Sequence, residues 1–439
     1  MDIKSKLLRK VLSMVAVAVI SAFNIIAADD DINSGQPPYN GVKKPWTFTP
    51  LPTVSYSTDL GLQLGALCDI YHFTKDHNSP DYKEKIYLDF GWATKGSGYV
   101  HGYFDSPYLT NYLRLTASAT YKVSSLFPFY GFNGSASPLT PEMDLNKDRG
   151  VAFYSMGLNM LRLMLTFQGR IAGELKWMGG CNFWDFKVKD IPEKNYDSGN
   201  TLLKEYIRHG IINADEVSGG SHFELRGGLT YDTRDNEAAP DKGIWAEAYI
   251  YGSKDFSGRG YDYLKSAIHF RHYFPIWKGH VTGAYHIGIQ NRIAGEAPFY
   301  QLHEIAAVLL KQPETDGLGG RNTVRGLLLD RLVGDGYIWG NFEIRCLLYS
   351  FEFMKHRWQI GTNPFFDTGM VTQTYRLDRM KSAGSGIIYR DKAERLHNSI
   401  GAGLKLSMDH NFIISAEAAR PLSRQDGEYG VSVGVNYIF

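Results

Sequence analysis

Net charge, cysteine and long apolar runs are all scarce in this 439-residue sequence. Each scarcity removes a class of protein. A formal charge of +1 offers no bulk attraction for nucleic acid, so no nucleic-acid partner is expected. The three cysteines, Cys68, Cys181 and Cys346, are odd in number and far apart, which argues against a disulfide framework. After the amino-terminal segment, no run approaches the roughly 18 apolar residues that a membrane-spanning helix requires.

What is present points to export and to strands. Lys4, Lys6, Arg9 and Lys10 precede the apolar run "VLSMVAVAVISAFNIIA", and Ala27-Ala28 stand before the acidic run Asp29-Asp30-Asp31. A basic start, an apolar middle and small residues at its end make residues 1–28 a secretory signal, cleaved near Ala28. Residues 29–48, with Pro-Pro, Gly and Asn, read as a polar periplasmic lead-in. The 46 Gly, 28 Tyr and 24 Phe suit short strands, tight turns and amphipathic aromatics. An exported chain of this kind without membrane helices is expected to form an all-β fold, a membrane-spanning antiparallel β-barrel over residues 49–439 in the bacterial outer membrane.

Period-two alternation supports this. Within 337–348, Ile338, Gly340, Phe342, Ile344, Cys346 and Leu348 share one face, while Tyr337, Trp339, Asn341, Glu343 and Arg345 share the other. Residues 399–408 separate Ile400, Ala402, Leu404, Leu406 and Met408 from Ser399, Lys405 and Ser407. A soluble sandwich also alternates. Here the polar face carries charges strand after strand, as a wet lumen does, and the apolar face repeatedly ends in Tyr, Phe or Trp, as an interfacial girdle does. About sixteen strands are expected, near 51–57, 61–73, 84–93, 97–106, 112–123, 150–160, 169–187, 221–232, 243–252, 261–274, 280–292, 337–349, 357–371, 398–408, 411–419 and 428–439. Short connections then alternate with long ones at opposite ends, and 293–336 is the sixth outward loop.

Catalytic motifs fail on inspection. "FFDTG" (365–369) carries the Asp-Thr-Gly of aspartic proteases, but that chemistry needs two carboxylates and the motif occurs once. His303-Glu304 begins like a zinc-binding helix, yet "IAAV" follows and brings no second histidine. "GLGGRN" (317–322) lacks the Gly-Lys-Ser/Thr of a phosphate loop. No enzyme activity, metal or cofactor is expected. One relationship between distant residues remains. Arg325 lies beside Leu327-Leu328-Leu329, an apolar run that suits a loop folded into the barrel. Inside, the guanidinium would need anions, and Glu343 and Asp367 can both face it. The other reading makes Arg325 a solvated loop residue, and spacing alone leaves the two open.

Three motifs carry a family resemblance. "GGRNTVRGLLLD" (319–330) resembles the Val-Arg-Gly-aromatic motif in the sixth outward loop of the BamA/TamA outer-membrane family. "YDTRDNEAAPDKG" (231–243) is similar to that family's turn before the ninth strand, with Asp232, Arg234, Asp235 and Gly243 at the matching positions. "FFDTG" resembles its Phe-x-Asp-x-Gly strand. Leu327 departs from the pattern, since Phe or Tyr usually stands there.

The resemblance implies a sixteen-stranded barrel in which Arg325 and Gly326 lock the loop through Glu343 and Asp367. It also implies a weak seam between first and last strands, through which client outer-membrane proteins pass. Pro52, Gly430 and Gly434 would weaken that seam, and Tyr437 and Phe439 would form a carboxy-terminal assembly signal. The lead-in is too short for the periplasmic POTRA repeats of such proteins, so separate periplasmic subunits are the expected partners, beside outer-membrane lipid. A passive or structural barrel is the alternative function.

Overall fold

A computed structural model describes residues 45–439 apart from 58–59, 75–81, 111, 141–142, 146, 192–199, 238, 307–316, 354–355, 378–387, 409–411 and 436. The signal segment 1–28 and lead-in residues 29–44 lie outside the described residues. The strands are β1 (Trp46–Ser57), β2 (Gly61–His72), β3 (Glu84–Ala93), β4 (Ser97–Thr110), β5 (Leu113–Pro128) and β6 (Ser155–Ala172). There follow β7 (Leu175–Lys189), β8 (Gly220–Asp232), β9 (Gly243–Asp255), β10 (Tyr263–Trp277), β11 (Val281–Gly295) and β12 (Gly336–Phe353). The last are β13 (His356–Thr362), β14 (Phe365–Gln373), β15 (His397–Met408), β16 (Phe412–Pro421) and β17 (Gly430–Val435).

Every neighbouring pair is antiparallel, and pairing of β1 with β17 closes the sheet. Both β13 and β14 lie between β12 and β15, so the seventeen segments make a sixteen-stranded barrel. Alternation sorts the side chains as expected. Phe342 and Ile344 are exposed on the outer surface, while Asn341, Glu343 and Arg345 between them are buried. The same holds for Leu225 and Leu229 against Glu224, Arg226 and Thr230.

Several boundaries differ from the sequence reading. The strands expected at 150–160 and 169–187 are instead β6 and β7, joined by a tight turn at Gly173, whose φ is 54°. "LRLMLTFQ" (161–168) is strand, with Arg162, Thr166 and Gln168 buried on the inner face, and Asp148–Phe153 is a short helix. The strand expected at 357–371 is interrupted at Asn363-Pro364, because proline has no N–H for the ladder. The first strand starts at Trp46, within the expected lead-in, where the Trp46 ring stacks on His72 at 4.3 Å. The last strand, expected over 428–439, ends at Val435. Tyr437 and Phe439 leave the sheet for the interior. There Arg345 Nη2 donates to the Phe439 backbone oxygen (2.8 Å), and its guanidinium stacks 3.9 Å from the Tyr437 ring.

The outer end is capped by the barrel's own loops. Phe129 and Phe132 meet Tyr206, Phe299 and Tyr375, so residues from four outward connections share one aromatic core. Arg331 donates to the Ser137 and Gln425 carbonyls (2.7 and 2.8 Å). His397 lies between Asp426 Oδ1 (2.8 Å) and Glu394 Oε1 (3.1 Å), and Ser135 N donates to the other Glu394 oxygen.

The wall has one weak joint. β1 and β2 are in register over all twelve residues of β1, whereas among the described residues β1 meets β17 at Tyr56–Val433 and Ser57–Ser432. Among the described residues, no other neighbours in the wall share fewer than five register pairs. Hydrogen exchange should resolve this. Amides of Trp46–Ser55 that face away from β2 should exchange at near-coil rates while β5 and β6 stay protected. Equal protection on β1 and β5 would mean that the seam pairs along its whole length.

Candidate functional site

Loop six (296–335) reaches the inner face of the barrel through the stretch 317–335. Gly319, Gly320 and Gly326 adopt φ of 123°, 84° and 91°, the left-handed region that bends the chain back on itself. Thr323 Oγ1 bonds to the backbone of Gly317 and Gly319, tightening the bend. Leu327, in place of the aromatic residue that the resemblance led one to expect, is buried with Leu318, Val324 and Leu332 against Tyr337, Trp339 and Val371.

This fold delivers Arg325, 2% exposed, to carboxylates on three strands. Its Nε and Nη2 donate to the two oxygens of Asp367 on β14 (2.8 and 2.9 Å). Nη1 reaches Glu343 on β12 at 2.6 Å and Glu417 on β16 at 3.1 Å. The Arg325 backbone N–H adds a bond to Asp367 (3.0 Å), and the guanidinium stacks 3.4 Å from the Phe365 ring centroid. Charge is balanced locally. Arg345 Nε pairs with Glu343 (3.0 Å) and Lys405 Nζ with Glu417 (2.6 Å), so three cations face three carboxylates. Asn363, whose backbone pairs with Gly403, donates its side-chain amide to Glu417 (3.1 Å).

Gly326, Gly430 and Gly434 belong to the same arrangement. A Cβ on Gly430 would stand 3.0 Å from Gly326 Cα, and one on Gly434 would overlap the Arg321 guanidinium. At these positions loop six or its neighbours occupy the space that a side chain would take. The cavity left between loop and strand is about 20 Å³, room for one water.

The 231–243 turn is a separate cluster at the opposite, short-turn end. Arg234 is bidentate to Asp232 (2.7 and 2.9 Å) and stacks 4.1 Å from the Trp245 ring. Asp235 accepts from the Asp241 and Lys242 backbone, and Gly243 (φ 111°) closes the turn where a Cβ would meet the Thr233 carbonyl. Pro52 lies on β1 with Pro50, exposed, where β1 has no β17 partner among the described residues.

Sequence reasoning brought Arg325, Glu343 and Asp367 together and missed Glu417, Asn363 and the roles of Arg345 and Lys405. Alternation placed Arg345 and Lys405 on inward faces. Glu417 is flanked by Ala416 and Ala418, which mark neither face.

A closed antiparallel barrel with lipid-facing apolar residues, a charged interior and a buried outward loop defines an outer-membrane β-barrel protein. The Omp85 superfamily domain matches residues 84–439, and the chain belongs to that superfamily. A comparison of the sequence with curated proteins finds no match. Among solved structures the fold is similar to that of BamA from Haemophilus ducreyi lacking POTRA domains 1–3, with 16% identity and a TM-score of 0.55. That likeness covers 90% of this chain and 71% of the other. It is also similar to CdiB from Escherichia coli, with 12% identity and a TM-score of 0.53. There 90% of this chain is covered and 63% of CdiB, so the chain spans less than two thirds of that relative.

Arg325→Ala would leave three buried carboxylates facing two cations. Release of loop six at a cost of about 3–5 kcal/mol is expected, read as new protease cleavage within 317–335. An unchanged digestion pattern would refute the assignment. Glu343→Gln and Asp367→Asn should each have a milder effect, since other carboxylates remain.

Loop six also carries a pH dependence. Burial raises the Asp330 carboxyl to about 6, with His303 pulling the other way. The folded chain therefore holds this proton more tightly than the unfolded chain. Stability is full below the ordinary carboxylate pKa of about 4 and declines as pH rises through about 6. Asparagine keeps an acceptor for Gly317 N and tolerates the φ of 54°. Asp330→Asn should raise the unfolding temperature more at pH 8 than at pH 5, measured by thermal unfolding in detergent.

Proposed function

We propose that this barrel passes extended polypeptide into or across the outer membrane through the seam between β1 and β17. Loop six acts as its internal brace, locked by Arg325. The observation that carries the reading is the seam itself, with two register pairs among the described residues in an otherwise well-paired wall. Membership of the Omp85 superfamily supports it. The chemistry is non-covalent. Edge-strand hydrogen bonds between β1 and β17 are exchanged for bonds to a client strand, so little free energy changes at each step.

Partner subunits in the periplasm would supply clients, and the clients would be outer-membrane proteins. A passive pore fits less well, because the aromatic cap and the charge cluster lie inside the barrel where a pore would need open space.

Ser57 and Ser432 face each other in register, so Ser57→Cys with Ser432→Cys should allow a disulfide across the seam. Under oxidising conditions that pair should abolish delivery of outer-membrane proteins in cells relying on the variant, and a reductant should restore it. Full delivery with the crosslink formed would reject the seam as the route.

A further inference from the structure

The two edges that meet at the seam are chemically unlike. The ladder between β1 and β2 runs unbroken from Trp46 to Ser57, with Pro50 opposite Cys68 and Pro52 opposite Ala66. A proline fits an unbroken ladder only where its nitrogen turns away from the paired neighbour. Residues two apart present their backbone groups to the same side. Both prolines therefore face the open edge, and that edge offers carbonyls but no N–H at positions 50 and 52.

The opposite edge is complete and held in place. β17 contains no proline and pairs with β16 at six positions, from Ala419–Gly430 to Ile414–Val435. Loop six supports it from inside, with Gly326 against Gly430 and the Arg321 guanidinium over Gly434. Arg345 holds the chain beyond it through the Phe439 backbone oxygen.

From these observations we infer that an extended polypeptide strand entering the seam adds to the β17 edge, and that Pro50 and Pro52 close the β1 edge to strand addition. The inference rests on the seam reading above and names which side of the seam receives the strand. Among the described residues, the Tyr56–Val433 and Ser57–Ser432 pairs are those an incoming strand displaces to reach the donors and acceptors of β17. A strand laid across positions 50 and 52 of β1 forfeits two hydrogen bonds, which weakens its pairing there on the order of tenfold. Long open edges are commonly guarded in this way, with proline among the devices used.

Two photoreactive peptides test this on the purified full-length barrel in lipid nanodiscs. One copies residues 46–57 with Pro50→Thr and Pro52→Thr and probes the β17 edge. The other copies residues 428–437 and probes the β1 edge. Adducts are mapped by mass spectrometry. The first peptide should label β17 about tenfold more than the second labels β1. Introducing Pro50→Thr and Pro52→Thr into the barrel should raise labelling of β1 by a similar factor. Equal labelling of the two edges, preferential labelling of β1, or no gain with the proline variants would overturn this inference and leave seam entry standing. Absence of labelling at either edge would overturn both.

Discussion

A buried guanidinium must be neutralised where it sits, and in this barrel that requirement positions loop six. Arg325 is fixed by a bidentate pair with Asp367, a short bond to Glu343 and a third to Glu417, with the Phe365 ring against its face. Those partners stand on β14, β12 and β16. The arginine thus ties three strands to one loop, and any slip of register between them would leave a charge unmatched in a poorly hydrated place. Arg345 and Lys405 complete the balance, and Arg345 extends it to the end of the chain through Tyr437 and Phe439.

Much of this was legible in the sequence, and the reasons for the remainder are specific. Alternation placed Glu343, Arg345 and Lys405 inward because large apolar residues marked the opposite face. It was silent at Glu417, where small residues flank the carboxylate. It misled at Tyr437 and Phe439, since a periodic pattern assigns faces but does not reveal whether a neighbour exists to continue the ladder. Past Val435, interior contacts with Arg345 and the Tyr273 ring replace sheet pairing. Leu327 raised a different question. The aromatic surface expected at that position comes instead from Tyr337 and Trp339 on β12, against which the leucine packs.

The glycines of β17 mark a close approach of loop six. In a strand, glycine reads as looseness or as a close approach of another chain. At Gly430 and Gly434 it is the second, since loop six occupies the space side chains would take. The last strand is therefore held on its inner face, while among the described residues its lateral neighbour β1 meets it at Tyr56 and Ser57. Asymmetry between the two sides of the joint follows from that arrangement and from the placement of Pro50 and Pro52.

The cap at the outer end has a consequence for how the cell surface is presented. Arg331 and His397 join residues that lie far apart in the chain, and the aromatic core beneath them is shared by four connections. Among the described residues, the outward connections present one assembled relief rather than a set of independent loops. Antibodies or phage that bind it would read a discontinuous epitope, one that short loop peptides do not reproduce and that vanishes when the barrel is denatured.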